Sequence, residues 1–224
     1  TTEIYTLSLH DALPIFLIRG RNVNNPVILW LHGGPGASQM AVSRHFNGEL
    51  EDHFVIVHWD QRGAGKSNNS TFDPESMTFE NFFKDTVELA EMIKKRFKNR
   101  PLILVGHSWG TMPGIRVVAQ HPELFKAYIG IGQVVNSMEA HKISYEWLKN
   151  KVHKKKQKDD IKDLNGLGHP PFTEHSKYVE FVRMIDSYGG GMDIRFGMLA
   201  RIALSSPEYR FADYISWIKG AKIG

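Results

Sequence analysis

Three short apolar runs in this chain are each followed at once by a polar loop that is rich in glycine. The runs lie at 27–31, 54–59 and 102–106, and a fourth apolar run covers 125–131. An uninterrupted apolar run of about five residues is typical of a strand that is buried on both faces, as in a parallel sheet. The pattern therefore predicts four strands of a mostly parallel sheet.

A helix is predicted between the second and third of these strands. Apolar residues recur at helical spacing over 78–98, and Thr78 stands where an N-cap residue is favoured. Strands that alternate with helices indicate the α/β class, with a doubly wound sheet that has helices on both faces. In such sheets the functional loops lie at the carboxyl ends of the strands, which is where the glycine-rich loops of this chain begin.

The composition excludes several classes of protein. The chain has 224 residues, of which 42% are hydrophobic and 11% aromatic, so it is not intrinsically disordered. No apolar run reaches about 18 residues, so no membrane partner is expected. The absence of cysteine excludes a disulfide scaffold and a cysteine nucleophile, and it fits a reducing, cytoplasmic compartment. The net charge is only +4, and the lysine-rich stretch 149–158 is interpreted as a solvated helix face, so no nucleic-acid partner is expected.

Residues 1–15 differ in character from the rest of the chain. They show no clear period, and they match, codon by codon, the in-frame translation of a common sequencing-library adapter. We therefore interpret them as an adapter artefact, not as a natural strand, and exclude them from the fold. On this interpretation the natural sequence starts at about Phe16 and its own N-terminus is missing. Whether the protein has a signal peptide is therefore left undecided. We expect a sheet-containing core over 16–137 and a helical cap or lid over 138–224, where the clear strand runs stop.

The third glycine-rich loop matches the pattern G-x-S-x-G at 106–110. It follows a predicted strand and precedes a predicted helix, which is the context that this motif needs. Gly106 and Gly110 let the backbone pass through a tight turn, which leaves Ser108 exposed at the positive end of the helix. Ser108 is therefore predicted to be a catalytic nucleophile, and the alternative is a buried serine in a glycine-rich turn.

A serine that attacks a carbonyl needs two backbone N–H donors for the oxyanion that forms. One is expected from Trp109, the residue after the nucleophile. The other is expected from Gly34, in the His-Gly-Gly-Pro-Gly loop at 32–36, because no side chain shields the N–H of a glycine. His32 is interpreted as a structural hydrogen-bonding residue and Gly33 as a supporting residue of the loop, and the alternative is an ordinary glycine-proline turn.

The loop after the second strand contains Gly65-Lys66-Ser67, which suggests a phosphate-binding loop. That motif needs a glycine five positions before Gly65, and this chain has Asp60 there. Binding of ATP or GTP is therefore not expected. We predict instead that Asp60 and Arg62 form an ion pair that holds this loop beside the site.

The three loops, in this order and each after a strand, resemble those of the α/β-hydrolase family. The set HGGPG, DQRGAGKS and GHSWG is most similar to the branch of the proline iminopeptidases, closely over 16–131 and more loosely beyond. The resemblance implies an α/β-hydrolase sheet with a helical cap, Ser108 as nucleophile, and Gly34 and Trp109 as oxyanion donors. It also implies acyl transfer without a metal or an organic cofactor. A serine at this position argues against epoxide hydrolases, which have an aspartate there.

The family also implies two further catalytic residues, an Asp or Glu and then a His, on loops after later strands. The histidines that follow residue 131 are His141, His153, His169 and His175, and all of them lie in the predicted cap. We therefore expect the acid and the base to lie beyond Gly224. The sheet would then be incomplete, and this chain by itself would be inactive.

Three functions stay open at this point. The first is a serine peptidase like the prolyl aminopeptidases, which removes the N-terminal residue of a short-peptide or small-molecule substrate. The second is a carboxylesterase or lipase-like hydrolase that uses the same chemistry. The third is a hydrolase-fold protein that binds a ligand without catalysis. Substrates with and without a free α-amino group separate the first two, and a continuation that lacks the acid and the histidine would favour the third.

Overall fold

A six-stranded sheet is the centre of the computed structural model, which describes residues 2–6, 15–172, 174–191 and 196–223. The strands are β1 (Thr2–Thr6), β2 (Ile15–Arg19), β3 (Val27–Leu31), β4 (Val55–Asp60), β5 (Leu102–His107) and β6 (Ala127–Ile131). Their spatial order is β1-β2-β4-β3-β5-β6. The pairs among β3, β4, β5 and β6 are parallel, whereas β2 pairs antiparallel with both β1 and β4.

The four strands predicted from the apolar runs are all present. The first has the predicted bounds, the second is shifted by one residue, the third is one residue longer and the fourth is two residues shorter. The predicted class, a mostly parallel α/β sheet, is confirmed. The start of β6 differs most, because Phe125 and Lys126 follow a short 3-10 turn at Pro122–Leu124 before the strand begins at Ala127.

The strand β1 falls within the residues that the sequence analysis set aside. It pairs with β2 in antiparallel register, with Thr2 opposite Arg19 and Thr6 opposite Ile15. Residues 7–14 lie outside the described part of the chain. Pairing at the edge of a sheet uses main-chain groups that every sequence has. The interpretation of residues 1–15 as an adapter therefore stays a prediction.

Eight helices are seen in the described residues, and the longest of the sheet unit is the one predicted from its periodicity. The helices are α1 (Met40–Asn47), α2 (Phe79–Arg96), α3 (Thr111–Gln120), α4 (Ser137–Lys155), α5 (Lys158–Leu167), α6 (His175–Ser187), α7 (Phe196–Leu204) and α8 (Phe211–Ile223). Thr78 caps α2 as predicted, because its hydroxyl accepts a hydrogen bond from the backbone N–H of Asn81 (3.2 Å).

Strands β3 and β4 are buried on both faces, which explains why a continuous apolar run covers β3 and most of β4, whereas most of β6 is exposed. On β3 and β4, Leu29 and Val57 pack in one cluster with Leu89 of α2. The preceding residues, Ile28 and Ile56, belong to a second buried cluster. Successive side chains of a strand point to opposite faces, so the two clusters lie on the two sides of the sheet.

The chain divides into two compact units, and the division differs from the predicted boundary of the cap. One unit is Thr1–Val134 together with Gly197–Gly224, and the other is Val135–Phe196. The second unit contains α4, α5 and α6 around a core that includes Leu148. The predicted cap of 138–224 is therefore split, since its last part groups with the sheet.

Contacts from the region after α7 explain this split. Tyr209 is buried in a cluster with Leu17 of β2 and Met40 of α1, and the Trp217 indole N–H donates to the backbone oxygen of Ser38 (2.8 Å). A helical pattern in a sequence shows that a helix has an apolar face, but it does not show which element covers that face.

The lysine-rich stretch 149–158 contains the last residues of α4 and the first residue of α5. Most of its side chains are exposed and Val152 alone is buried, in agreement with a solvated helix face. No helix in the described part of the chain is long and apolar enough to cross a membrane.

Candidate active site

The three glycine-rich loops meet at one edge of the sheet. The parallel strands β3 and β5 pair Leu31 with Gly106, and β3 and β4 pair Trp30 with His58, so all three strands end at a similar level. The backbone N–H that follows β4, on Gln61, donates to the Nε2 atom of His32 (3.1 Å). The predicted meeting of the loops at the carboxyl ends of the strands is seen in the structure.

Ser108 occupies a strained turn between β5 and α3. Its φ angle is +51°, which lies in the left-handed region that serine rarely adopts. The strand ends at His107, Ser108–Gly110 form one 3-10 turn, and α3 begins at Thr111. The side chain of Ser108 is exposed. This is the strand–turn–helix context that the G-x-S-x-G pattern predicted.

Glycine is required on both sides of this turn because other backbone atoms lie too close for a side chain. A Cβ atom on Gly110 would lie 2.4 Å from the backbone oxygen of Leu31, and one on Gly106 would lie 2.8 Å from the backbone oxygen of Gly110. The two glycines therefore let the turn pack directly on the end of β3.

Replacing Gly110 with alanine is expected to lower the free energy of unfolding by about 1–3 kcal/mol, since a close-packed backbone must move to admit the methyl group. Gly48 is the matched control, because its φ of −58° suits alanine and nothing lies within 4 Å of its Cβ position. Gly48→Ala should raise the same free energy by about 0.4–1 kcal/mol. Urea denaturation of the two variants compares them, and equal effects would contradict the steric requirement.

The glycine loop (residues 32–37) lies against the turn through Gly33. A Cβ atom on Gly33 would lie 3.2 Å from the Cβ of Ser108 and 3.3 Å from Nδ1 of His107. Gly34 has a φ of +126°, and a Cβ atom there would meet the backbone N of Ala37 at 2.7 Å. The sequence predicts Gly34 as the oxyanion donor, whereas the structure brings its neighbour Gly33 against the serine.

His32, which the sequence predicts to be a structural hydrogen-bonding residue, contacts the backbone of the first two loops. It is buried, its Nδ1 lies 2.6 Å from the backbone oxygen of Gly33, and its Nε2 accepts the N–H of Gln61. Burial lowers the pKa of His32 to about 4. The neutral His32 ring joins the first two loops, because each of its nitrogens contacts a backbone group. It is therefore not placed to act as a general base.

A further contact beside the serine was not predicted from the sequence. The Gln39 amide oxygen accepts from the Trp30 indole N–H (3.0 Å), and its amide nitrogen lies 2.9 Å from Nδ1 of His107. Burial lowers the pKa of His107, which keeps the ring neutral. Gln39 therefore fixes the residue that precedes Ser108. No local sequence signal marks a glutamine for this role.

The indole of Trp109 is held by aromatic residues at the start of α2. It makes edge-to-face contacts with Phe79 and Phe82, at centroid distances of 6.1 and 5.6 Å. Such contacts are favourable for aromatic rings. They fix the residue whose backbone N–H follows Ser108 directly.

The predicted ion pair between Asp60 and Arg62 is wrong. The Arg62 guanidinium instead forms two hydrogen bonds with the buried carboxylate of Asp85 on α2, at 2.9 and 2.7 Å. Asp60 is turned toward the hydroxyls of Ser38 and Tyr209. Arg62 thus points to α2, whereas Asp60 points to Ser38 and Tyr209. The spacing of the two residues along the sequence could not show this difference.

No histidine nitrogen hydrogen-bonds to the Ser108 hydroxyl within the part of the chain that the structure describes. His121 faces Glu123 (3.3 Å). In the other unit, His141 packs on Tyr178 and His169 packs on Tyr145. The site therefore presents the exposed Ser108 and its surrounding backbone, and His121, His141 and His169 make other contacts.

Comparison with known proteins agrees with this geometry. Residues 26–162 match the sequence profile described as alpha/beta hydrolase fold. This chain belongs to the α/β-hydrolase family. The hydrolase is 32% identical over 219 residues to a Bacillus subtilis (strain 168) protein named "Probable aminopeptidase YbaC", covering 96% of this chain and 69% of that protein.

Two further likenesses define the branch and the fold. A proline iminopeptidase of Arabidopsis thaliana is 33% identical over 104 residues, or 46% of this hydrolase and 25% of that protein. A solved carboxyl esterase of Bacillus coagulans has a TM-score of 0.60 at 14% identity, over 99% of this chain and 72% of that one. The relatives place the hydrolase in the proline iminopeptidase-like branch, and the likeness to the esterase shows the fold alone.

Proposed function

We propose that this α/β-hydrolase is a serine hydrolase that acts by acyl transfer. Ser108 carries the proposal, because it stands exposed in a strained turn between β5 and α3, with Gly33 of the glycine loop against it. Its Oγ forms a bond to the substrate carbonyl carbon while a base takes the hydroxyl proton. The proton then passes to the leaving group as its bond to carbon breaks, and water releases the acyl group from Ser108.

The oxyanion of the tetrahedral intermediate would be held by two backbone N–H groups. Trp109 is the first donor, because it follows Ser108 at the start of the turn into α3. The second donor belongs to the glycine loop. The sequence favours the N–H of Gly34, whereas the closeness of Gly33 to Ser108 supports the N–H of Gly33. Donors of this kind stabilise charge that is absent in the ground state, which is why they accelerate the chemical step.

The general base and its acid belong to the whole protein in this proposal. The chain spans 69% of the length of its Bacillus relative and 25% of the length of the Arabidopsis one. We propose that a histidine and an acid outside residues 1–224 complete the site. The 224-residue chain should then turn over slower than the whole protein by several powers of ten.

The favoured substrate class is a peptide or amide with a free N-terminal residue. The support comes from the relatives, which are named an aminopeptidase and a proline iminopeptidase. A carboxylesterase with the same acyl chemistry and a protein that only binds a ligand are the competing outcomes of the test.

A matched set of substrates tests the proposal on the whole protein. Proline p-nitroanilide, its N-acetylated form and p-nitrophenyl acetate are assayed side by side, with fluorophosphonate labelling of Ser108 followed by mass spectrometry. We expect labelling of Ser108 and cleavage of the free-amine anilide, with little cleavage of the acetylated one. Cleavage of the ester alone would make the protein an esterase. No turnover and no labelling would leave only the binding role.

A further inference from the structure

A buried hydrogen-bonded cluster joins the glycine loop to the segment 209–220. Asp60, at the end of β4, has no exposed surface and accepts hydrogen bonds from the hydroxyls of Ser38 and Tyr209 and from the backbone N–H of Lys66. The bonds from Tyr209 and from Lys66 are both 2.8 Å long. The two hydroxyl oxygens lie 3.0 Å apart. Since Ser38 directly follows the glycine loop, the cluster fixes one end of that loop.

The same segment contacts the loops at two further points. The Trp217 indole N–H donates to the backbone oxygen of Ser38 (2.8 Å). Gly220 packs so closely that a Cβ atom there would lie 2.4 Å from the backbone oxygen of Gly63 and 3.2 Å from that of Gly36. The segment therefore covers the loop after β3 and the loop after β4 at the same time.

Asp60 gives the cluster a fixed geometry. Burial raises the pKa of Asp60 to about 6, against the opposing effect of its three hydrogen-bond donors. A buried carboxylate that loses its donors is strongly unfavourable. The donors are therefore held at set positions around it, and two of them belong to parts of the chain that are 171 residues apart.

We propose that Ser38, Asp60 and Tyr209 are positioning residues: they form a clamp by which the segment 209–220 holds the glycine loop beside Ser108. This inference rests on the proposed function, because the loop is taken to carry an oxyanion donor. None of the three residues needs to touch the substrate. Their effect would be on where the loop N–H groups point.

The clamp should affect the chemical step more than substrate binding. Oxyanion donors act only when they lie within hydrogen-bond distance of the developing charge, and a shift of about 1 Å can lower the rate on the order of a hundredfold. Loosening the loop is therefore expected to lower kcat about tenfold or more and to leave KM within about twofold.

Two matched pairs of variants of the whole protein test the clamp. Ser38→Ala and Tyr209→Phe remove the hydroxyls that face Asp60. Ser43→Ala removes another buried serine hydroxyl, which donates to the backbone oxygen of Met40 (2.8 Å). Tyr214→Phe removes a tyrosine hydroxyl of the same apolar cluster as Tyr209, one that donates to the backbone oxygen of Ala203.

Each variant is assayed for kcat and KM on the best substrate and for hydrogen exchange of the peptide that covers the glycine loop. The clamp predicts faster exchange and lower kcat in Ser38→Ala and Tyr209→Phe, with both values unchanged in the two controls. Unchanged exchange in the test variants would overturn the clamp whether or not the protein is active. Faster exchange with unchanged kcat would overturn the positioning role. A wild-type protein without turnover would refute the proposed function, and the exchange data would still decide the clamp.

Discussion

Replacing Ser108 with alanine is expected to lower kcat of the whole protein by on the order of a millionfold, as removal of a serine nucleophile does in other hydrolases. The remaining turnover would come from the oxyanion donors and from substrate binding. The side chain of Ser108 is exposed, so its loss should change the free energy of unfolding by less than about 0.5 kcal/mol. Steady-state kinetics and urea denaturation measure the two effects separately.

The control for this prediction is Ser187→Ala. Ser187 is an exposed serine at the end of α6, and its hydroxyl donates to the backbone oxygen of Met184 (2.8 Å). Its replacement should change neither kcat nor the fluorophosphonate labelling of Ser108. Activity that survives in Ser108→Ala would mean that another group is the nucleophile, and the proposed mechanism would then have to be abandoned.

Replacing Arg62 with alanine is expected to lower the free energy of unfolding by about 3–5 kcal/mol, the usual effect of removing one partner of a buried ion pair. The side chains of Arg62 and Asp85 are only 6% and 2% exposed. The variant would leave the Asp85 carboxylate buried without its guanidinium. The pair also ties the loop after β4 to α2, so its loss should loosen that loop.

An exposed ion pair provides the comparison. Arg21 and Asp52 form a pair whose side chains are 78% and 48% exposed, and Arg21→Ala should lower the same free energy by less than about 1 kcal/mol. Urea denaturation of both variants under one condition gives the difference. Similar losses in the two would show that burial does not set the strength of the Arg62–Asp85 pair.

The elements of the sheet unit that can be predicted from the sequence depend on residues that are close together along the chain. Burial of β3 on both faces requires a continuous apolar run, and a tight turn around Ser108 requires Gly106 and Gly110. The cap of α2 joins residues three apart, Thr78 and Asn81. Apolar runs, glycine spacings and helix caps each involve only a few consecutive residues. They can therefore be recognised without knowledge of the rest of the chain.

The hydrogen-bond partners within the site come from distant parts of the chain, and no local pattern in the sequence reveals them. Arg62 bonds with a carboxylate 23 residues away, Gln39 contacts His107 across 68 residues, and Tyr209 reaches Asp60 across 149. Each choice of partner depends on where the sheet places the loop in space. The ion pair predicted for Asp60 failed for this reason.

The sequence by itself determined the class of the fold, the order of the three loops and Ser108 as the candidate nucleophile, because these follow from apolar runs and from glycines at fixed spacing. Only the tertiary structure decided that Gly33 lies against Ser108 and that the segment 209–220 belongs to the unit that contains the sheet. The physical reason is that a buried polar group is satisfied by whichever donor the fold brings within about 3 Å. The parallel sheet sets which groups are close in space. That closeness, and not the separation along the chain, decides which donor a buried polar group bonds with.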